Sequence, residues 1–72
     1  MNKENIEHPS YYAEGRQYEP IEVVRDWGLN FALGNAIKYI SRAGRKNIST
    51  KKEDLEKAIF YIQDEINHIE SV

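Results

Sequence analysis

The 72-residue sequence contains no cysteine, two prolines and four glycines, and no apolar run approaches the roughly 18 residues that cross a bilayer. Each absence excludes something. Without cysteine there is no disulfide framework and no cysteine-built metal site, the usual staples of so short a chain. The polar start Met-Asn-Lys-Glu-Asn-Ile-Glu lacks the apolar stretch of a secretory signal. These features predict one small soluble domain with no membrane partner. A chain below roughly 80 residues rarely gains more than a few kcal/mol from its own core, so homo-oligomerisation is expected to complete it.

The net charge of −2 conceals a segregation. Residues 38–57 carry seven of the ten basic side chains, Lys38, Arg42, Arg45, Lys46, Lys51, Lys52 and Lys57, against Glu53, Asp54 and Glu56. Both flanks are acidic. A confined basic stretch in an acidic protein favours a local anion site over a long nucleic-acid partner, which commonly meets a wholly basic domain. Lys51 and Lys52 have the plainer alternative of a solvated face.

Residues 1–19 show no sustained period, carry the turn formers Pro9, Ser10 and Gly15, and hold three tyrosines. They read as an ordered arm in which Tyr11 and Tyr12 lie against the helices or a neighbouring subunit. Helices then fill residues 20–72. Pro20 suits a first helical position, and Gly28 ends a short helix over about 20–27. From Leu29 to Ala43 the residues Leu29, Ala32, Leu33, Ala36, Ile37, Ile40 and Ala43 recur at three- and four-residue steps, and Gly44 marks the stop. Thr50-Lys51-Lys52-Glu53 has capping-box spacing for a third helix running to about Ser71. Leu55, Ile59, Ile62, Ile66 and Ile69 give that helix a seam of alternating four- and three-residue steps, expected to meet the second helix and a symmetry mate. The fold class is all-α: a single domain over residues 1–72, built as a bundle of about three helices.

At about 100° per residue the second helix presents Phe31, Asn35, Lys38 and Arg42 opposite its apolar stripe. A ring can stack on a base, an amide can meet a base edge or ribose, and two cations can take phosphate oxygens. Gly34 borders the same face and permits close approach. Lys57 and Tyr61 on the third helix, in line with Asp54, Asp64 and His68, are placed to complete a pocket. Phe31 can equally serve as an oligomer contact; the plainer alternative for Lys38 and Arg42, a solvated face, fits less well than anion binding, and Asp54 with Lys57 has the alternative of an i,i+3 ion pair.

Catalytic machinery is sparse. Neither Gly-Asn-Ala-Ile-Lys nor Gly-Arg-Lys-Asn-Ile-Ser has P-loop spacing. Glu53, Asp54 and Glu56 resemble half of a carboxylate pair for magnesium, but the second helix offers Asn35, Lys38 and Arg42 where acids are required. No serine has a base arrangement that stands out, and His8 and His68 are far apart in the chain. No catalytic residue, metal or cofactor is assigned, so the sequence points to binding more than to turnover.

The segments His8-Pro9-Ser10-Tyr11-Tyr12, Ile21-Glu22-Val23-Val24, Leu29 to Arg42, Lys46 and Asp54 to Tyr61 together resemble a small bacteriophage family, the SaV-like domain of unknown function, over about residues 8–66. A similar domain forms the tail of a phage nucleotide kinase that lacks a P-loop. The resemblance implies phage origin and, with it, the cytoplasm of an infected bacterial host. His8, Tyr11, Asn35, Lys38, Tyr39, Arg42, Lys46, Lys57 and Tyr61 are among the matching positions.

With Tyr12 from the arm and Phe31 from the helix face, these residues form the expected ligand-binding set. The expected function is sequestration of a small signalling nucleotide, of cyclic ADP-ribose type or a cyclic oligonucleotide, to counter host antiviral defence. The alternatives are a nucleoside monophosphate kinase or its accessory domain, and a protein-binding adaptor or inhibitor anchored by Phe31, Phe60 and Trp27.

Overall fold

A computed structural model describes residues 10–71, with side chains from residue 12 onward. The described chain is helical, with α1 over Ser10–Ala13, α2 over Pro20–Asp26, α3 over Phe31–Arg42 and α4 over Lys51–Glu70. A 3₁₀ turn, Ile48–Thr50, leads into α4. Among the described residues there is no strand, so the all-α expectation holds. The arm is more regular than its sequence suggested, since α1 supplies one helical turn.

Local chemistry explains most boundaries. Pro20 opens α2, and the Glu19 amide donates to Glu22 Oε1 at 2.9 Å, satisfying one of the helix's first donors. Gly28 and Gly44 end α2 and α3 with φ of +65° and +81°, backbone that side chains with a Cβ rarely adopt. α3 begins two residues later than the apolar period suggested, because the Asn30 side chain accepts from the Leu33 amide at 2.9 Å and so caps the helix. The Thr50 capping box does not form. Thr50 Oγ1 donates to the Asn47 carbonyl at 3.0 Å instead, and the Asn47 side chain accepts from the Ser49 amide, holding the 3₁₀ turn.

α3 and α4 form an antiparallel hairpin. Asn30 at the start of α3 donates to Glu65 Oε1 at 2.9 Å, and Arg42 at its end pairs with Asp54 in the first turn of α4. The contact between them is made by small residues: Ala32, Ala36 and Ala58 are the buried apolar side chains of the helix pair. α2 packs against α3 at Gly34, where an added Cβ would stand 3.3 Å from Val24 Cγ1. The turn after α1 is fastened to the far end of α3 and the loop beyond it, with Arg16 donating to the Ser41 carbonyl and Arg45 to the Glu14 carbonyl.

The isoleucine seam is not the line that faces α3 most directly. Asp54, Ala58, Tyr61 and Glu65 turn towards α3, whereas Leu55, Ile59, Ile62, Ile66 and Ile69 stay 40% to 63% exposed. The reason is geometric. The Asp54–Ala58–Tyr61–Glu65 line has the same four- and three-residue steps one position earlier, and its small alanine and bonding polar groups allow closer helix approach.

Candidate functional site

One flank of the hairpin collects an aromatic and cationic cluster. The rings of Tyr39 and Tyr61 lie 6.0 Å apart and within 7° of parallel. Phe31 meets Tyr61 edge-on at 6.1 Å, and Phe60 does so at 5.2 Å. Three cations surround Tyr39: Arg42 at 4.8 Å from the ring centroid, with Lys38 and Lys57 each at 5.4 Å. Each distance lies within the range in which a cation is drawn to a ring face.

Helix geometry brings these residues together. Phe31, Asn35, Lys38 and Arg42 follow one another along α3, Tyr39 lies one turn from Asn35, and α4 supplies Lys57 and Tyr61 one turn apart. The face is not opposite the core, as a wheel of α3 alone suggested. It borders α4, and Tyr61 closes over it.

The cations differ in their commitments. Arg42 turns inward and pairs with Asp54 at 2.9 Å, leaving its side chain 15% exposed and that of Asp54 1% exposed. Burial by itself would lower the Arg42 pKa, but the bond to Asp54, the Tyr12 hydroxyl and their charge hold it above the ordinary value. The expectation that Arg42 stands on an open face is therefore corrected: a buried carboxylate claims it. Asp54 accordingly pairs with Arg42 and not with Lys57, which reaches Glu53 at 3.8 Å. Lys38 is exposed and has no carboxylate partner among the described residues.

Next to the cluster runs an open groove of about 320 Å³ between α2 and α3, lined by Pro20, Ile21, Val24 and Gly34 with Phe31, Asn35 and Lys38. Gly34 gives it depth. Phe31, 79% exposed, presents a ring at its edge. Asn35 Nδ2 donates to the Phe31 carbonyl at 2.9 Å, which leaves its amide oxygen as the group able to accept. Phe31 and Lys38 belong to both the groove and the cluster.

Of the expected site residues, Phe31, Asn35, Lys38, Tyr39, Arg42, Lys57 and Tyr61 are thus brought together. Tyr12 sits behind them, half-buried beside Arg42. Lys46 lies exposed in the loop after α3, outside these contacts. His8 and the Tyr11 side chain lie outside the described residues. The role of Asp54 as partner of Arg42 was missed; the two stand twelve positions apart across a loop, so no helical spacing signals the pair.

A larger hollow, about 560 Å³, lies elsewhere, between Tyr18, Glu22, Val23, Asp26 and Trp27. Its two carboxylates repel anions, so the smaller groove beside Lys38 is the better anion site. Among the described residues no group of three or more His, Asp or Glu is placed to hold a metal ion, and no helix is long and apolar enough to cross a membrane.

Comparison with known proteins agrees with the phage origin expected from the sequence. The chain is 37% identical over 65 residues to the Gene 1.7 protein of Enterobacteria phage T3, a match covering 82% of this chain and 40% of that protein. The chain therefore spans about two fifths of the length of this relative. No solved structure matches. Residues 6–63 match the family described as "Protein of unknown function (DUF3310)", and the chain belongs to that family.

Proposed function

We propose that this phage protein binds a small nucleotide on the flank formed by Phe31, Asn35, Lys38, Tyr39, Lys57 and Tyr61, and that it acts in the host cytoplasm by holding the ligand without converting it. One observation carries the reading. The ammonium of Lys38, without a carboxylate partner among the described residues, stands 5.4 Å from the Tyr39 ring where the groove meets the cluster, with a second lysine equally close to that ring. Glu53 reaches Lys57 only at 3.8 Å, so a phosphate beside Lys38 supplies the counter-charge that the Lys38 ammonium lacks. Phe31 supplies a stacking surface for a base, an interaction of about 1–3 kcal/mol. The Asn35 amide oxygen supplies an acceptor for a base or ribose hydroxyl.

Sequestration of a host signalling nucleotide is the role such a binder fits, with a cyclic ADP-ribose-type molecule or a cyclic oligonucleotide as ligand. Titration calorimetry with cyclic ADP-ribose, a cyclic dinucleotide and a deoxynucleoside monophosphate tests it. Lys38→Ala should weaken binding about tenfold, the effect of losing one charge-assisted contact of about 1.4 kcal/mol. Absence of heat with every nucleotide, or unchanged affinity in Lys38→Ala and Phe31→Ala, refutes the site. Phosphoryl transfer from a nucleoside triphosphate to a monophosphate by the purified chain would replace binding alone with the kinase reading.

A second reading, protein binding, has its own observation. Trp27 and Tyr18 are 63% and 62% exposed beside Glu22 and Asp26, a surface suited to a basic partner. Loss of a host partner on Trp27→Ala, with nucleotide binding intact, would favour it.

A further inference from the structure

The flank of the hairpin opposite the ring cluster is apolar and stays partly exposed among the described residues. Leu55, Ile59, Ile62, Ile66 and Ile69 recur along α4 at steps of four and three, the spacing of a coiled-coil seam, and every one of them is at least 40% exposed. Placed at about 100° per residue, Leu33 and Ile40 of α3 fall on the same flank, and Ile40 is half exposed. Domains normally bury such a face against a second layer.

We infer that a second copy of this chain supplies that layer, with the two α4 helices packed antiparallel along the isoleucine seam. The charges choose both occupant and direction. In heptad terms Ile59 and Ile66 stand at a, with Leu55, Ile62 and Ile69 at d. Lys52 then falls at the a position before the seam, Glu65 at g and Glu70 at e. A parallel pair sets Lys52 against its own copy. An antiparallel pair sets Ile59 against Ile62, Leu55 against Ile66, and Lys52 beside Ile69 and Glu70 of the partner. Lysines at the start of one helix then meet acid and the negative dipole end of the other. A seam repeating the same residue type is self-complementary, as a twofold interface requires. This inference goes beyond the nucleotide reading and does not depend on it, because the ring cluster lies on the other flank.

The full chain contains no cysteine, which makes the arrangement directly testable. Sedimentation of the wild-type chain should give twice the chain mass. Ile59→Lys/Ile62→Lys should sediment as a monomer while keeping its helical circular dichroism and its nucleotide affinity. Under oxidation Leu55→Cys mixed with Ile66→Cys should cross-link, and either chain alone should cross-link at least tenfold less. A wild-type monomer at concentrations up to about 1 mM overturns the interface, as does an unaltered dimer in the double-lysine chain. Equal self-cross-linking by the separate cysteine chains overturns the antiparallel direction. If the double-lysine chain loses its helix, the cysteine pair still decides, since those substitutions stay apolar.

Discussion

Arg42 and Asp54 form an ion pair at 2.9 Å that joins the end of α3 to the first turn of α4 across the loop. The carboxylate is the most deeply buried side chain of the described residues, beside the buried alanines Ala32, Ala36 and Ala58 of the hairpin. One guanidinium serves two purposes, because Arg42 also stands 4.8 Å from the Tyr39 ring. The hairpin closure and the ring cluster are thereby coupled.

Removing either partner strands a buried charge. Asp54→Ala should destabilise the chain by about 3 kcal/mol, the lower end of the range for breaking a buried pair, since Arg42 keeps some contact with water. Urea unfolding measures this, and a loss below about 1 kcal/mol would show the pair to be dispensable. The raised Arg42 pKa means that the pair's stabilisation is complete below the guanidinium's unfolded value and is lost only as pH rises through its higher folded value. The wild-type urea midpoint should therefore show no loss from this group between about pH 7 and pH 10.

The Tyr39 and Tyr61 rings are near enough to couple energetically. A double-mutant cycle with Tyr39→Leu and Tyr61→Leu should return an interaction of about 0.5–1.5 kcal/mol in unfolding free energy. Additive single effects would mean that the rings are neighbours without mutual stabilisation.

Gly34 faces Val24, and its replacement tests whether the groove matters. Gly34→Ala gains up to about 1 kcal/mol in helix propensity and meets Val24 Cγ1 at 3.3 Å, tight but against a half-buried side chain that can shift. Stability should change little. Gly34→Leu fills the space between α2 and α3, so nucleotide affinity should fall at least tenfold while α3 and α4 stay helical by circular dichroism. Unchanged affinity would place the ligand outside the groove.

Asn30 has two tasks, capping α3 through Oδ1 and donating to Glu65 through Nδ2. Asn30→Ala should cost about 1 kcal/mol, and Asn30→Asp should recover the cap while losing the bond to Glu65. Thermal unfolding of both, beside Glu65→Ala, separates the two contributions. Equal losses from the Ala and Asp substitutions would contradict the capping role.

The helical class, the positions of the three longer helices to within two residues, and their stops are legible in the amino-acid order alone. Those depend on local terms, namely apolar period, Pro20 at a helix start and glycines at φ values other residues avoid. Helical spacing also singled out Phe31, Asn35, Lys38 and Arg42 as one line, whereas Tyr39, the centre of the ring cluster, entered only through the family resemblance. Which face meets which neighbour was settled only by tertiary structure. The isoleucine seam is the stronger apolar period, yet Asp54, Ala58, Tyr61 and Glu65 face α3, since close approach of two helices rewards small residues and the hydrogen bonds of Asp54 to Arg42 and Glu65 to Asn30, which a hydrophobicity count overlooks. The same packing drew Arg42 off the open face and onto a carboxylate twelve residues away, a pairing that exists only once the chain has turned back on itself.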